Sequence, residues 1–204
     1  MSLFITFEGG EGSGKSTQAK LLHRRLYRLA IPVLLTHEPG VTSLGKKITR
    51  ILKWQGELAL SPIAELLLFN VSRAQLVTEV IKPALEKGQI VICDRFADSS
   101  IAYQGYGRGI DISEVEKANN IATSGLKPDL TFLLDMPVEP AFSRKTDKKD
   151  RFEEESVEFH ERVLKGYQVL AKAEPERWCV IDATISKEEV SGIIWEKVRP
   201  ILPK

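Results

Sequence analysis

Residues 4–17, FITFEGGEGSGKST, decide the fold of this 204-residue chain. An apolar, β-rich run leads into a glycine-rich loop, and a helical pattern begins where the loop ends. Residues 9–16 satisfy the spacing G-x-x-x-x-G-K-[ST], which is typical of loops that hold nucleoside triphosphates. Glycine permits the backbone angles that turn successive N–H groups inward, and the helix N-terminus adds a partial positive charge. The stretch therefore predicts a strand, a phosphate-binding loop and a helix.

The loop supplies nine candidate ligands for a triphosphate. Its backbone N–H groups can form a concave anion site, the Lys15 ammonium can reach the β- and γ-phosphates, and the Ser16 hydroxyl can coordinate Mg²⁺. The candidates are Gly9, Gly10, Glu11, Gly12, Ser13, Gly14, Lys15, Ser16 and Thr17. Glu11 stands out because a carboxylate repels phosphate, so this residue requires a second role.

Short apolar runs alternate with helical patterns along the rest of the chain. The runs are nearly continuous in apolar character, which predicts parallel strands buried on both faces. The predicted strands are Leu3–Phe7, Val33–Thr36, Ile90–Cys93, Leu130–Leu134 and Cys179–Ile181. We expect an α/β protein with the P-loop NTPase fold, in which helices flank a five-stranded parallel sheet on both faces. The length suits a single domain, residues 1–204.

Three helix starts and one basic segment complete the predicted organisation. Ser61 with Pro62 opens a helix over about 62–80, and the pairs Ser113/Glu116 and Ser186/Glu189 fit capping boxes. The segment RKTDKKDR, residues 144–151, has five basic residues and no large apolar one. We expect a mobile lid at about 143–152, with a solvated charge run as the alternative.

Bulk composition argues against several classes of partner. The net charge is +1, so no overall field attracts the protein to nucleic acid or to a membrane surface. The first residues lack a basic leader, and no apolar run is long enough to span a bilayer. Cys93 and Cys179 lie inside apolar runs and are expected to be free thiols of a reducing compartment. We expect a cytoplasmic protein.

Asp94 and Arg95 follow the predicted third strand and indicate which reactions the protein could catalyse. A strand-ending aspartate beside a phosphate loop is a candidate Mg²⁺ ligand, together with Ser16. GTPase signatures are absent, because no aspartate precedes a glycine by three positions and Asn-Lys-x-Asp does not occur. Arg95 stands where many ATPases carry a second acid, and it indicates a phosphorylated acceptor. The alternative is that Arg95 only pairs with Asp94 or another acid.

Taken together, the motifs resemble those of the bacterial thymidylate kinases, which are dTMP kinases within the nucleoside monophosphate kinases. The resemblance covers essentially the whole chain. It runs through FITFEGGEGSGKSTQ (4–18), HEPG (37–40), LLLFNVSRAQ (66–75), DRFADSSIAYQGYGRG (94–109), LKPDLTFLLDMPVEPA (126–141), DRFE (150–153) and VIDAT (180–184). It implies transfer of a phosphoryl group from ATP, with Mg²⁺, to dTMP, and a homodimer.

The resemblance also implies roles for the acceptor-site residues. Phe69 and Arg73 share a helix face and would meet the thymine ring and its O4, while Ser100 and Gln104 would meet the base edge. Tyr103 would close the space beside the sugar C2′, and Glu11 would contact the 3′-OH. The full dTMP-binding set is Glu11, Glu38, Pro39, Phe69, Arg73, Arg95, Ser100, Tyr103 and Gln104.

The remaining catalytic charge is expected from the lid. None of the variable loop positions 10–13 is cationic, so the chain resembles the second type of the family, in which the lid supplies an arginine. The predicted catalytic residues are Lys15, Arg95, Arg151 and Arg144. The chain departs from the family at His37, where relatives commonly carry arginine, and this weakens any phosphate-binding role there.

Two other functions stay open on the sequence. A kinase for a different nucleotide or nucleoside would retain the same loop, and a hydroxyl acceptor would call for a carboxylate base. A binding module gated by ATP would hold the nucleotide without turnover.

Overall fold

The computed structural model of the protein describes residues 2–53, 59–139 and 151–202. Five parallel strands form one sheet in the order β2-β3-β1-β4-β5. They are β1 Leu3–Glu8, β2 Val33–His37, β3 Ile90–Asp94, β4 Leu130–Asp135 and β5 Trp178–Asp182. The five predicted strands are confirmed, and each extends one residue beyond its predicted C-terminal end.

Helices connect the strands on both faces of the sheet. They are α1 Lys15–Arg28, α2 Ser43–Leu52, α3 Pro62–Leu76, α4 Lys82–Glu86, α5 Ala97–Ser100, α6 Ile112–Thr123, α7 Val157–Ala173 and α8 Lys187–Val198. Two π-helical segments, Val77–Ile81 and Ile101–Gly107, continue α3 and α5 without a break. The helix predicted over about 62–80 is present, and it continues through the π-helical turn into α4, so it extends beyond its predicted end.

Two of the three predicted helix starts are correct. The Ser61 hydroxyl accepts from the backbone N–H of Ala64 at 3.2 Å, and Ser186 forms a capping box with Glu189. The capping box predicted at Ser113 is wrong. Asp111 caps α6 instead, because its carboxylate accepts from the Ser113 backbone N–H at 2.8 Å and the helix already begins at Ile112.

The core consists of apolar layers on the two faces of the sheet. Alternate residues of β1 point to opposite faces: Ile5 and Phe7 pack with α1 and α8, whereas Phe4 packs toward the end of α3. The first layer includes Leu22, Leu26, Ile92, Phe132 and Ile194, and the second includes Leu76, Val77, Ile81, Val91 and Phe96. Burial on both faces explains why the strand sequences are apolar throughout.

Strand register brings the candidate residues to one edge of the sheet. Phe7 and His37 both pair with Asp94, so the carboxyl ends of β1, β2 and β3 are neighbours. The Arg95 backbone N–H continues this pattern and donates to Phe7 O at 3.0 Å. The loop after β1 therefore lies beside Asp94 and Arg95.

Two further expectations concern the chain as a whole. Cys93 is a buried free thiol, and Cys179 is a partly buried one. Within residues 2–53, 59–139 and 151–202, no helix is long and apolar enough to cross a membrane. Most of the predicted lid, residues 143–150, lies outside the described residues.

Candidate functional site

The glycine-rich loop has the backbone geometry of an anion site. Gly9 and Gly14 have φ of 139° and 94°, and a Cβ on Gly9 would lie 2.6 Å from Leu134 O. Gly14 caps α1 without a side-chain hydrogen bond, and the N–H groups of Lys15 and Ser16 in the first turn are open to a ligand, whereas that of Thr17 donates to Gly14 O at 3.1 Å. The Ser13 hydroxyl donates to Gly10 O at 2.9 Å and closes the loop on itself.

Lys15 is held inside the loop. Its ammonium donates to Gly10 O at 2.5 Å, and the residue is 6% exposed. Burial, reinforced by repulsion from Arg95, lowers the pKa of Lys15 from 10.5 to about 8. The cavity around it is lined by Glu11, Gly12, Gly14, Ser16, Thr17, Glu38, Asp94 and Arg95. A bound polyphosphate would raise the pKa of Lys15 again and favour its charged form.

Ser16 and Asp94 fit a Mg²⁺ site. The Ser16 hydroxyl donates to Asp94 Oδ2, so the two oxygen ligands predicted for the metal lie side by side. Glu38 lines the same cavity, and its Oε1 is buried without a hydrogen-bond partner among the described residues. The described residues contain no group of three or more His, Cys, Asp or Glu side chains that could hold a metal ion. Mg²⁺ needs none, because it is usually bound by one or two carboxylates, water and phosphate.

Arg95 lies where the loop meets a second cavity. Its guanidinium contacts Glu11 at 2.5 Å, the Tyr103 hydroxyl at 3.0 Å and Gly9 O at 3.2 Å. The Tyr103 hydroxyl donates to the same Glu11 oxygen at 2.9 Å. Arg95 therefore pairs with another acid, Glu11, as the alternative interpretation allowed, and not with its neighbour Asp94. Its backbone φ of 70° is left-handed, which is uncommon for a residue with a side chain.

A buried network behind Arg95 was not predicted. The Glu8 carboxylate accepts from the Phe96 backbone N–H at 2.7 Å, from Ser99 at 2.6 Å and from the Tyr167 hydroxyl at 2.8 Å. Burial, followed by the charge of Asp98, raises the pKa of Glu8 to about 7. An acid at the end of an apolar strand was a usable signal for Glu8. No sequence signal pointed to Tyr167, because its hydrogen-bond partners are far away in the sequence.

The second cavity collects the predicted acceptor-site residues. All nine line it: Glu11, Glu38, Pro39, Phe69, Arg73, Arg95, Ser100, Tyr103 and Gln104. Phe152 was not predicted but also lines it, with ring centroids 5.6 Å from Phe69 and 6.3 Å from Tyr103. The cavity thus has aromatic walls and a charged end at Arg95, where it joins the cavity of the loop.

Arg73 lies beneath this cavity in a fixed orientation. Its guanidinium donates to Glu38 at 2.8 Å, to Asn119 Oδ1 at 2.7 Å and to Phe96 O at 3.3 Å, and the residue is 1% exposed. Burial raises the pKa of Glu38 to about 7, although the Arg73 charge opposes this shift. With a further hydrogen bond from Nη1 to Asn70 Oδ1 at 3.4 Å, these contacts leave one N–H of Nη2 for a ligand.

The two predicted lid arginines have different outcomes. Arg144 lies outside the described residues. Arg151 donates to Glu65 Oε2 at 2.6 Å and to Leu52 O at 3.0 Å, so it contacts the acceptor side of the site. No described contact joins Arg151 to the phosphate loop, because the buried Glu65 carboxylate holds its guanidinium. Its role at the transferring phosphate stays a prediction.

The fold and the site together define the class of protein. A parallel sheet, a glycine-rich loop at the start of α1, and a strand-ending Asp94 beside Ser16 are the parts of a P-loop nucleoside triphosphate-binding protein. A family model described as thymidylate kinase matches residues 7–194. The chain belongs to the thymidylate kinase family.

Relatives match the chain over nearly its full length. The thymidylate kinase of Dehalococcoides mccartyi strain 195 is 54% identical over 203 residues, which are 99% of this chain and 98% of the relative. The thymidylate kinase of Synechococcus sp. strain JA-2-3B'a(2-13) is 50% identical, with 98% and 96% covered. The crystal structure of thymidylate kinase from Ehrlichia chaffeensis has a TM-score of 0.77 at 38% identity and covers 97% of this chain and 98% of that one.

Proposed function

We propose that the protein transfers the γ-phosphoryl group of ATP to dTMP, giving ADP and dTDP for dTTP synthesis in the cytoplasm. One observation carries the proposal beyond family membership: the loop cavity and the aromatic-walled cavity share Glu11, Glu38 and Arg95. Two ligands bound in these cavities would meet at Arg95. A phosphate donor and a nucleoside monophosphate have the shapes and charges that the two cavities fit.

The acceptor phosphate needs no catalytic base. Its second pKa is about 6, so its oxygens are already anionic at neutral pH. The barrier is the repulsion between two phosphate groups, and Arg95 and Lys15 supply the opposing charges. Catalysis then consists of positioning and charge neutralisation, without a covalent intermediate. We propose that the lid arginines, Arg144 and Arg151, add charge when the lid closes.

Mg²⁺ is the proposed metal, held by Ser16 and Asp94. When bound it neutralises charge on the donor phosphates. The fit of this site supports the proposal, because Ser16 and Asp94 already lie in contact.

The proposed acceptor is dTMP because the aromatic-walled cavity suits a pyrimidine. Phe69 and Tyr103 offer ring faces, while Arg73, Ser100 and Gln104 offer polar groups. The Ser100 hydroxyl is buried and has no hydrogen-bond partner among the described residues, which favours a ligand there.

The decisive experiment is an ADP-release assay across dTMP, dUMP, UMP, CMP, AMP and thymidine. We expect the highest kcat/KM with dTMP and none with thymidine, because no carboxylate base is proposed for a hydroxyl acceptor. Phosphorylation of thymidine would indicate a nucleoside kinase. Tight ATP binding without ADP release for any acceptor would indicate a binding module.

Substituting Glu11 by alanine tests its proposed contact with the 3′-OH of dTMP. We expect Glu11→Ala to lower kcat/KM for dTMP by roughly 10- to 100-fold, the range for a lost hydrogen bond to a charged group. ATP affinity should change less than threefold, because the loop N–H groups stay in place. Titration of each nucleotide, followed by steady-state kinetics, measures both effects. Equal losses for ATP and dTMP would contradict the role.

We also propose the homodimer that the family resemblance implies, with α3 in its interface. Ile63, Leu67 and Val71 recur every four residues on α3 and are 47%, 52% and 46% exposed. We expect Leu67→Glu to give a monomer in size-exclusion chromatography with light scattering, because it places a charge in an apolar contact. Tyr27→Glu, on α1 across the sheet, is the matched control and should stay dimeric. A monomeric parent protein, or a dimeric Leu67→Glu variant, would refute this interface.

A further inference from the structure

Glu65 is a buried carboxylate with three donors and no assigned role. It lies in the first turn of α3 and is 1% exposed. Gln104 Nε2 donates to its Oε1 at 2.8 Å, and the guanidinium groups of Arg108 and Arg151 donate at 3.1 Å and 2.6 Å. All of the hydrogen bonds recorded at Glu65 are donated to it, by one amide and two guanidinium groups, so both of its oxygens act as acceptors.

This acceptor-only character fixes the orientation of the Gln104 amide. The amide atom that contacts Glu65 must be the donor Nε2, and the carbonyl Oε1 is then left for a different partner. Gln104 is 1% exposed and lines the aromatic-walled cavity beside Ser100. The cavity therefore meets a hydrogen-bond acceptor at Gln104. Reversing the amide would bring Oε1 against the Glu65 carboxylate and is disfavoured.

We propose that Glu65 is a positioning residue for base selection, an inference that rests on the proposed function. By holding Nε2, Glu65 makes Gln104 Oε1 the acceptor for the N3–H of thymine. Cytosine carries a lone pair at N3 and would oppose Oε1 with a second acceptor. The arrangement selects thymine over cytosine through a residue that does not itself contact the base. Specificity of this kind arises from an unpaired buried polar group in the wrong complex.

The test compares dTMP with 5-methyl-dCMP, which keeps the methyl group and differs at N3 and C4. In Glu65→Gln the carboxylate becomes an amide that can donate or accept, so Gln104 can reverse. We expect the ratio of kcat/KM for dTMP to that for 5-methyl-dCMP to fall at least tenfold. Arg108→Gln is the matched control, because it disturbs the same cluster but leaves the bond between Glu65 and Gln104. In Arg108→Gln, the ratio of kcat/KM for dTMP to that for 5-methyl-dCMP should match the ratio in the parent protein.

The outcomes separate this inference from the proposed function. A parent protein that does not phosphorylate dTMP refutes both. A parent that uses dTMP, with an unchanged ratio in Glu65→Gln, refutes only the role of Glu65 and leaves it a structural one. A crystal structure of the parent with dTMP is a second measurement that needs no variant. It should show Gln104 Oε1 within hydrogen-bond distance of N3, and N3 bound elsewhere overturns the inference.

Discussion

Replacing Arg95 by methionine should lower kcat/KM for dTMP by about a thousandfold, or about 4 kcal/mol of transition-state stabilisation. The guanidinium lies where the two cavities meet. Among the described residues, Arg95 is the cationic side chain that lines both cavities, and it contacts Glu11, which also lines both. Methionine fills a similar volume but carries no charge, so the two phosphate groups would repel each other without compensation. Steady-state kinetics with saturating ATP and varied dTMP measure the loss.

Two controls make the Arg95 result specific. Arg95→Met should bind ATP nearly as well as the parent protein, because Lys15 and the loop N–H groups are unchanged. Arg199→Met removes an exposed arginine whose recorded partner is the surface residue Glu196, and it should retain full activity. A loss smaller than tenfold in Arg95→Met, in a variant that denatures at the parental temperature, would refute the central role of Arg95.

The second large effect concerns Lys15. We expect Lys15→Met to lower kcat by about a thousandfold and to weaken ATP binding, because the ammonium lies in the phosphate loop, where it can reach the β- and γ-phosphates. Thermal stability should not fall. The lowered pKa of Lys15 shows that burial already disfavours its charged form in the ligand-free protein. A loss of activity without a loss of thermal stability would show that the Lys15 charge serves catalysis and is not needed for folding.

The pKa of Lys15 predicts that the affinity for ATP decreases as the pH rises. Its pKa of about 8 means that the ammonium is present below pH 8 and is lost as the pH rises through that value. ATP affinity of the parent protein should therefore decrease between about pH 7.5 and 9, with proton uptake on binding near pH 8. Calorimetry in buffers of different ionisation enthalpy measures the uptake. The same pH slope in Lys15→Met would assign the effect to another group.

Local sequence patterns predicted the parts of the molecule that local physics determines. Apolar continuity identified the strands, and the spacing of Gly9, Gly14 and Lys15 identified the loop, since both depend on neighbouring residues alone. The family resemblance supplied the residues that line the aromatic-walled cavity. It could name them, but only the fold shows that they lie together.

Long-range polar pairs were the main omission. Glu8 with Tyr167, and Glu65 with Arg151, join residues 159 and 86 positions apart. Such pairs depend on how helices pack over the sheet, and side-chain type gives no sign of the partner. The cap at Asp111 was missed for a simpler reason. Asp111 and Ser113 are both suitable caps and lie two residues apart, and the Asp111 carboxylate caps the helix by accepting from the Ser113 N–H.

The left-handed backbone of Arg95 has a consequence for how this protein can evolve or be engineered. A residue with a side chain in that conformation costs about 1–2 kcal/mol relative to the right-handed region, and glycine would largely avoid the cost. Glycine at this position would relieve the backbone strain, but it would lose the contacts of the guanidinium with Glu11, Tyr103 and Gly9 O and remove the charge that turnover needs. Backbone strain and catalytic activity therefore place opposite demands on position 95, so screens for thermostable variants should keep arginine there.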